Sequence, residues 1–214
     1  MSAIRHAVLD RETSVPATPS VGPGKSHPLG ATCVDGGVNF SVFSRGSTRM
    51  DLLLFDREDD GLPSRVVRLD VAENRTYHYW HVFVPDLRPG QIYGFRVYGP
   101  FDPSNGLRFD SSKLLLDPYG RAVVVPKNYD RISAGLEGDH TSTAMKSVVV
   151  DPSTYDWEDD APLNRPSSRT VIYEAHVRGF TAHPSSGVAE KKRGTYAGLI
   201  EKIPYLQDLG ITAI

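Results

Sequence analysis

Glu174, His176 and Arg178 recur at every second position of an apolar run, 170–178, and share one face of it if the run is a β-strand. A carboxylate, an imidazole and a guanidinium in that register have the means to move a proton. The neighbouring cation also holds the carboxylate charged, so an internal ion-pair network is the expected role of Glu174. Arg178 and Phe180 stand at the end of the run, on either side of Gly179. In a parallel β/α barrel that end of a strand faces the cleft, which makes both of them candidate substrate-binding residues. No metal site is expected. The acid-rich DWEDD segment at 156–160 lacks the glycine turn and spaced acids of a calcium loop, and no cysteine and histidine cluster offers zinc a tetrahedral set. The glycines at 22 and 24 fit no phosphate-cradling pattern, and the basic run 191–193 reads as a hydrated surface, so no cofactor is expected either.

The elements that must position these groups divide the chain. Residues 1–24 read as a flexible arm, interrupted by Pro16, Pro19 and Pro23. Short alternating runs at 38–43, 50–55, 65–69, 77–84 and 92–97, separated by Gly, Pro, Asp and Asn, predict an immunoglobulin-like β-sandwich over 25–118. Residues 119–169 follow Pro118 and carry four more prolines, at 126, 152, 162 and 166, show little periodicity, and read as a connection packed at a domain joint. From 170 the pattern changes to strand, helix and new strand. Tyr196, Leu199, Ile200, Ile203, Leu206 and Leu209 fall in one helical stripe, with Thr195 as N-cap and Gly210 just past the end. Pro204 has no N–H to give Ile200, so two short helices or a kinked one are expected. Residues 211–214 open another apolar run. The stretch 170–214 thus predicts the first βα unit of a (β/α)8 barrel, which takes roughly 250 residues when complete.

Hydrophobic residues at 39%, charged residues at 23% and a formal net charge of −2 describe a globular chain with no polyanion partner, so nucleic acid is not expected. Nothing approaches the roughly 20 consecutive apolar residues of a membrane span, so no membrane partner is expected. The single Cys33 cannot form an internal disulfide, and the first 24 residues hold no signal-like apolar run; the cytoplasm is the expected location.

Several motifs, in order, resemble isoamylase-type glycogen debranching enzymes of the α-amylase superfamily. They are HPLGAT at 27–32, GVNFSVFS at 37–44, YWHVFV at 79–84, PGQIYGFRV at 89–97 and KLLLDPY at 113–119 in the sandwich, then VIYEAHVRGFT at 171–181, HPSSGV at 183–188 and GTYAGLIEKIPYLQDLGITAI at 194–214. The resemblance spans about 25–214. It implies a carbohydrate-binding-type sandwich ahead of a catalytic barrel, α-glucan partners such as glycogen, amylopectin or limit dextrin, and retaining hydrolysis of α-1,6 branch linkages by two carboxyl groups about 5–5.5 Å apart. In that superfamily the reacting acids end the fourth, fifth and seventh barrel strands. None of those strands lies within these 214 residues, so no catalytic residue is assigned and the chain is expected to be inactive alone. A non-catalytic α-glucan-binding or scaffold module, and a piece of a related branching enzyme, are the alternatives. Sugar rings stack on exposed aromatic side chains, and Trp80 is the candidate of that kind; Tyr77 and Tyr79 share one strand face while Trp80 takes the other, and one of the two faces must be core.

Overall fold

The computed structural model describes residues 20–214, which form two compact units meeting in sequence between Tyr155 and Asp156. In the first unit eleven strands follow one another: β1 (Gly30–Val34), β2 (Gly37–Phe43), β3 (Arg49–Phe55), β4 (Arg65–Leu69), β5 (Arg75–Thr76), β6 (Tyr79–Pro85), β7 (Ile92–Tyr98), β8 (Phe101–Asp102), β9 (Leu107–Arg108), β10 (Ala122–Val124) and β11 (Lys146–Val148). They make an antiparallel sheet in the order β1-β2-β6-β5, a second in the order β10-β11-β7-β3-β4, and a small β8-β9 hairpin. The period of two decides what each sheet contributes to the core. Val38, Phe40, Val42, Trp80, Val82 and Val84 come from the first sheet, and Met50, Leu52, Leu54, Val67, Leu69, Tyr93, Phe95 and Val97 from the second; all are buried in one cluster. Phe40 meets Tyr93 edge-on across it, at 5.0 Å between ring centroids.

The outer face of the first sheet is covered by the chain that precedes β1. The Lys25 N–H donates to Asn39 Oδ1 at 2.7 Å, Asn39 Nδ2 donates to the Lys25 carbonyl at 2.9 Å, and Ser41 Oγ donates to the Ser26 carbonyl at 2.7 Å. Gly22 exchanges two backbone hydrogen bonds with Phe83 of β6, at 2.9 and 3.0 Å. His81 Nδ1 donates to the Pro23 carbonyl at 2.7 Å, which leaves Nε2 to accept from the Thr76 hydroxyl. Residues 22–26 are therefore fixed to the sheet, because Asn39, Ser41 and His81 need partners once buried. The rest of the expected arm, 1–19, lies outside the described residues.

The sandwich also runs past Pro118, where the sequence pattern predicted a connection. β11 pairs with β7, and β10 extends the sheet beyond it. A buried polar set locks this return in place: Tyr93 Oη donates to Asp117 Oδ2 at 2.8 Å, and the Asp117 N–H donates to Ser147 Oγ at 3.0 Å. Burial pushes the Asp117 carboxyl above its ordinary value, against the hydrogen bonds from the Tyr119 N–H and Tyr93, and burial with the Asp117 charge also raises the Tyr93 phenol. The helix α1 (Arg131–Ala134), capped by Asp130, belongs to the same stretch.

The second unit contains α2 (Val177–Thr181), α3 (Tyr196–Ile200) and α4 (Ile203–Asp208). Thr195 caps α3 through its side chain, Pro204 lies in the first turn of α4 where its missing N–H costs nothing, and Gly210 takes φ +78 after the last turn. The two-helix expectation thus matches, and its stop and start sit at the proline. The strand expected over 170–178 does not form at that length. Ile172 bridges Ala213 in parallel, the Tyr173 N–H donates to the Ala213 carbonyl at 2.9 Å, and from Val177 the chain is helical.

Candidate functional site

Trp80, expected as a sugar-stacking residue, is 0% exposed and lies in the sandwich core. This corrects the assignment: a ring with no accessible surface cannot stack on a ligand. Its strand partners are Val42 and Arg75, and the Arg75 guanidinium lies 5.1 Å from its ring centroid. Its Nε1 finds no hydrogen-bond partner. The face opposite Trp80 is where ring surface is open. Tyr77 and Phe43 are exposed there, with His78 and Tyr79 between them, and Phe101 is exposed on the β8-β9 hairpin. The sequence did name Tyr77 and Tyr79 as one face, but read 77–84 as a continuous strand; the chain instead turns at Tyr77 and His78, between the paired Thr76 and Tyr79. An apolar cleft of about 340 Å³ adjoins this area, lined by Val42, Phe43, Phe95, Val97, Phe109 and Leu115 among others. No acid or base converges on it.

In the second unit, Arg178 and Phe180 sit on the short helix α2, not on a strand end. Arg178 is exposed and Phe180 half-buried, its ring edge-on to Tyr173 at 5.9 Å. His176 ends the extended segment by accepting the Gly179 N–H on Nδ1 at 3.2 Å, so the imidazole works as an N-cap. Glu174 is exposed and belongs to none of the ion pairs among the described residues, so the expected network with His176 and Arg178 is not formed here. The tight part of this unit lies behind α2. Thr181 is fully buried and its Oγ1 accepts the Gly194 N–H at 2.8 Å, while a Cβ on Gly198 would fall 2.4 Å from the Lys192 carbonyl oxygen. By contrast Ile172, Tyr196 and Ile200 are 73%, 74% and 63% exposed, and of the helical stripe only Leu206 is buried. Among the described residues no three His, Cys, Asp or Glu side chains are grouped to hold a metal ion, and no helix is long and apolar enough to cross a membrane.

Residues 28–120, the stretch from the end of the covering segment through the Asp117 lock, match carbohydrate-binding module 48, the isoamylase N-terminal domain. Those residues run from ahead of β1 to past β9. Beyond the module, the similarity runs through the second unit. The glycogen operon protein GlgX homolog of Mycobacterium tuberculosis (strain ATCC 25618 / H37Rv) is 42% identical over 93% of this chain, the glycogen debranching enzyme of Serratia proteamaculans (strain 568) 44% over 90%, and the chloroplastic isoamylase 1 of Oryza sativa subsp. japonica 42% over 89%. The chain spans only 28%, 29% and 24% of those relatives. Among solved structures, a product complex of the pneumococcal glycogen-degrading protein SpuA superposes with a TM-score of 0.59 at 24% identity, over 89% of this chain and 19% of that one. The apo pullulanase of Paenibacillus barengoltzii gives 0.57 at 21% identity, over 89% and 26%. At those identities the structures speak for the fold alone. The resemblance read from the sequence motifs and the names of the relatives agree.

Proposed function

We propose that these 214 residues are the N-terminal portion of an α-glucan debranching enzyme that hydrolyses α-1,6 branch linkages with retention, its reacting carboxyl groups supplied by the longer polypeptide. The observation that carries this reading is the continuity of the similarity: relatives named for glycogen debranching and isoamylase match at 42–44% identity across both the module and the second unit. The parallel bridge from Ile172 to Ala213, with α3 and α4 between, fits the first crossover of a barrel. The apolar side chains left open at Ile172, Tyr196 and Ile200 fit surfaces that further barrel elements would cover. Within this reading Arg178 and Phe180 line the edge of the substrate cleft as binding residues, and the partner is glycogen, amylopectin or a limit dextrin. No residue of the chain is given a catalytic role.

The test is product release. The longer polypeptide should liberate linear maltooligosaccharides from amylopectin and form them with the α-anomer first, as retention requires. The 214-residue chain by itself should release none. Linear products from the purified short chain, or transfer of chains to new branches by the long one, would replace the proposal with another activity.

A further inference from the structure

We propose that Arg96, Thr141 and Lys113 form an oxyanion cradle on the outer face of the second sheet, occupied by the Asp139 carboxylate of the chain's own strap 135–140, and that a phosphate group is the ligand that displaces it. Arg96 of β7 lies on the face away from the core, since Tyr93, Phe95 and Val97 of the same strand belong to the core cluster. Its Nη2 donates to Asp139 Oδ2 at 2.9 Å and to Thr141 Oγ1 at 3.0 Å. The other carboxylate oxygen, Asp139 Oδ1, accepts from the Thr141 N–H at 2.9 Å and from the Thr141 hydroxyl. One carboxylate therefore collects a guanidinium, a backbone amide and a hydroxyl. Arg96 Nε is shielded and has no partner, so the guanidinium keeps a donor that this occupant does not satisfy. Lys113 reaches the residue beside Asp139, its Nζ donating to the Gly138 carbonyl at 3.1 Å and also to that of Leu136. Burial works against the Asp139 charge, yet the hydrogen bonds from Thr141 and the Arg96 charge hold its carboxyl below the ordinary value, so the cradle favours a negative guest.

The strap is held by polar contacts rather than by packing. Besides Arg96 and Lys113, Ser112 Oγ donates to the Gly138 carbonyl at 3.2 Å, while Leu136 is 57% exposed and Ile132, in the helix ahead of it, 77%. A segment with so little buried apolar surface opens locally at low free-energy cost. Gly135 begins the strap, and Gly138 within it takes φ +97. Thr141, by contrast, is buried, and its carbonyl accepts from the buried Lys146 Nζ at 2.8 Å, so the donors of Thr141 stay in place when the strap lifts. A carboxylate on the same chain competes at high effective concentration, so a guest must offer more than a second carboxylate does. A phosphate monoester brings about 1.5 to 2 negative charges at neutral pH and three acceptor oxygens, which can meet the Thr141 donors, the guanidinium and the Lys113 ammonium together. Hydrogen bonds from Ser112, and then the Lys113 charge, hold the nearby Asp110 carboxyl below its ordinary value. With Asp139 withdrawn, Arg96 and Lys113 thus face Asp110 alone, and the excess charge is positive.

Calorimetric titration of the 214-residue chain with inorganic phosphate and with glucose 6-phosphate, at constant ionic strength, tests this. Asp139→Ala removes the internal competitor and its charge but leaves the Arg96 and Thr141 donors, so phosphate affinity should rise about tenfold or more. Adding Arg96→Met to that variant should abolish the gain. Thermal midpoints of both variants should stay close to the parent's, because neither side chain belongs to the core cluster. In the parent, phosphate should also speed tryptic cleavage after Arg131, in the helix that leads into the strap, while sodium chloride at the same ionic strength should not. Tighter binding of glucose 6-phosphate marks a sugar phosphate as the ligand and equal affinity marks free phosphate; both support the cradle. An Asp139→Ala chain that binds neither, or binds both equally well with Met at position 96, would overturn it, as would tryptic cleavage that phosphate leaves unmoved. None of these results touches the debranching proposal, which is judged by product release from amylopectin.

Discussion

Replacing Trp80 separates a core role from a ligand role, because the two make opposite demands on the side chain. Trp80→Ala opens a cavity between the sheets at a position with no exposed surface, and such truncations cost about 3–5 kcal/mol. Trp80→Phe is milder for a reason visible in the structure. It removes two ring carbons, worth roughly 1.6 kcal/mol at about 0.8 kcal/mol per buried carbon. It also removes Nε1, a shielded donor without a partner, whose burial costs on the order of 1–3 kcal/mol. The two contributions oppose each other, so the net change should stay within about 1.5 kcal/mol. Urea unfolding followed by far-ultraviolet circular dichroism is the suitable assay, since the remaining Trp157 would complicate fluorescence. With a slope of about 2 kcal/mol per molar urea, the Ala variant's midpoint should drop by about 2 M and the Phe variant's by less than about 1 M. Retardation of the Phe variant in glycogen should match that of the parent chain. A Phe variant as stable as its parent but unable to bind glycogen would refute the core argument, and so would an Ala variant within 1 kcal/mol of the parent.

Two further substitutions probe the frame around the site. Gly37→Ala would place its Cβ 2.3 Å from the Val84 carbonyl oxygen and 2.8 Å from the Pro85 Cα, both backbone atoms of the paired strand, so a loss of about 1–3 kcal/mol in urea unfolding is expected; a change under 0.5 kcal/mol would show that the β2–β6 pairing is looser than described. Lys146 is fully buried, with Nζ donating to the carbonyls of Glu58 at 2.6 Å and Thr141 at 2.8 Å and lying 5.0 Å from the Phe55 ring centroid. Burial lowers its pKa from 10.5, the charges of Asp60, Asp59 and Glu58 opposing this only in part. Between the lowered folded value and 10.5 the unfolded chain binds more protons, so Lys146 makes stability rise with pH in that alkaline window, whereas below it the penalty is constant. In Lys146→Met this increment should vanish, with a loss of about 1–3 kcal/mol at neutral pH from carbonyls left without a donor; an identical alkaline slope in parent and variant would contradict the assignment.

How much was legible beforehand follows from the range of the forces involved. The five alternating runs of the sandwich, the N-cap at Thr195, the break at Pro204 and the glycine stop at Gly210 were set by local rules, and each is found at or within a residue or two of its expected place, apart from the turn at Tyr77 and His78. β10 and β11 escaped notice although AVVV at 122–125 and SVVV at 147–150 are β-branched runs; each is only three residues long as a strand, and what holds them is the distant lock among Tyr93, Asp117 and Ser147. The run 170–178 failed in the opposite sense. Its alternation suited a strand, but a strand needs neighbours along its edges, and with a single parallel bridge at Ile172 the residues from Val177 satisfy their backbone groups as a helix capped by His176.

By itself the sequence determined the alternating strands, the helix boundaries and the motifs that resemble those of isoamylase-type enzymes, because period, cap chemistry and proline geometry act over a few residues. The tertiary structure decided which face of β6 is core. Alternation places Trp80 and Tyr79 on opposite sides, yet nothing local says which side meets the second sheet; the core cluster that joins the two sheets took in the indole and left Tyr77 and Phe43 exposed. The aromatic residue that sequence reading favoured for a sugar therefore holds the sandwich together, and those it passed over form the open surface.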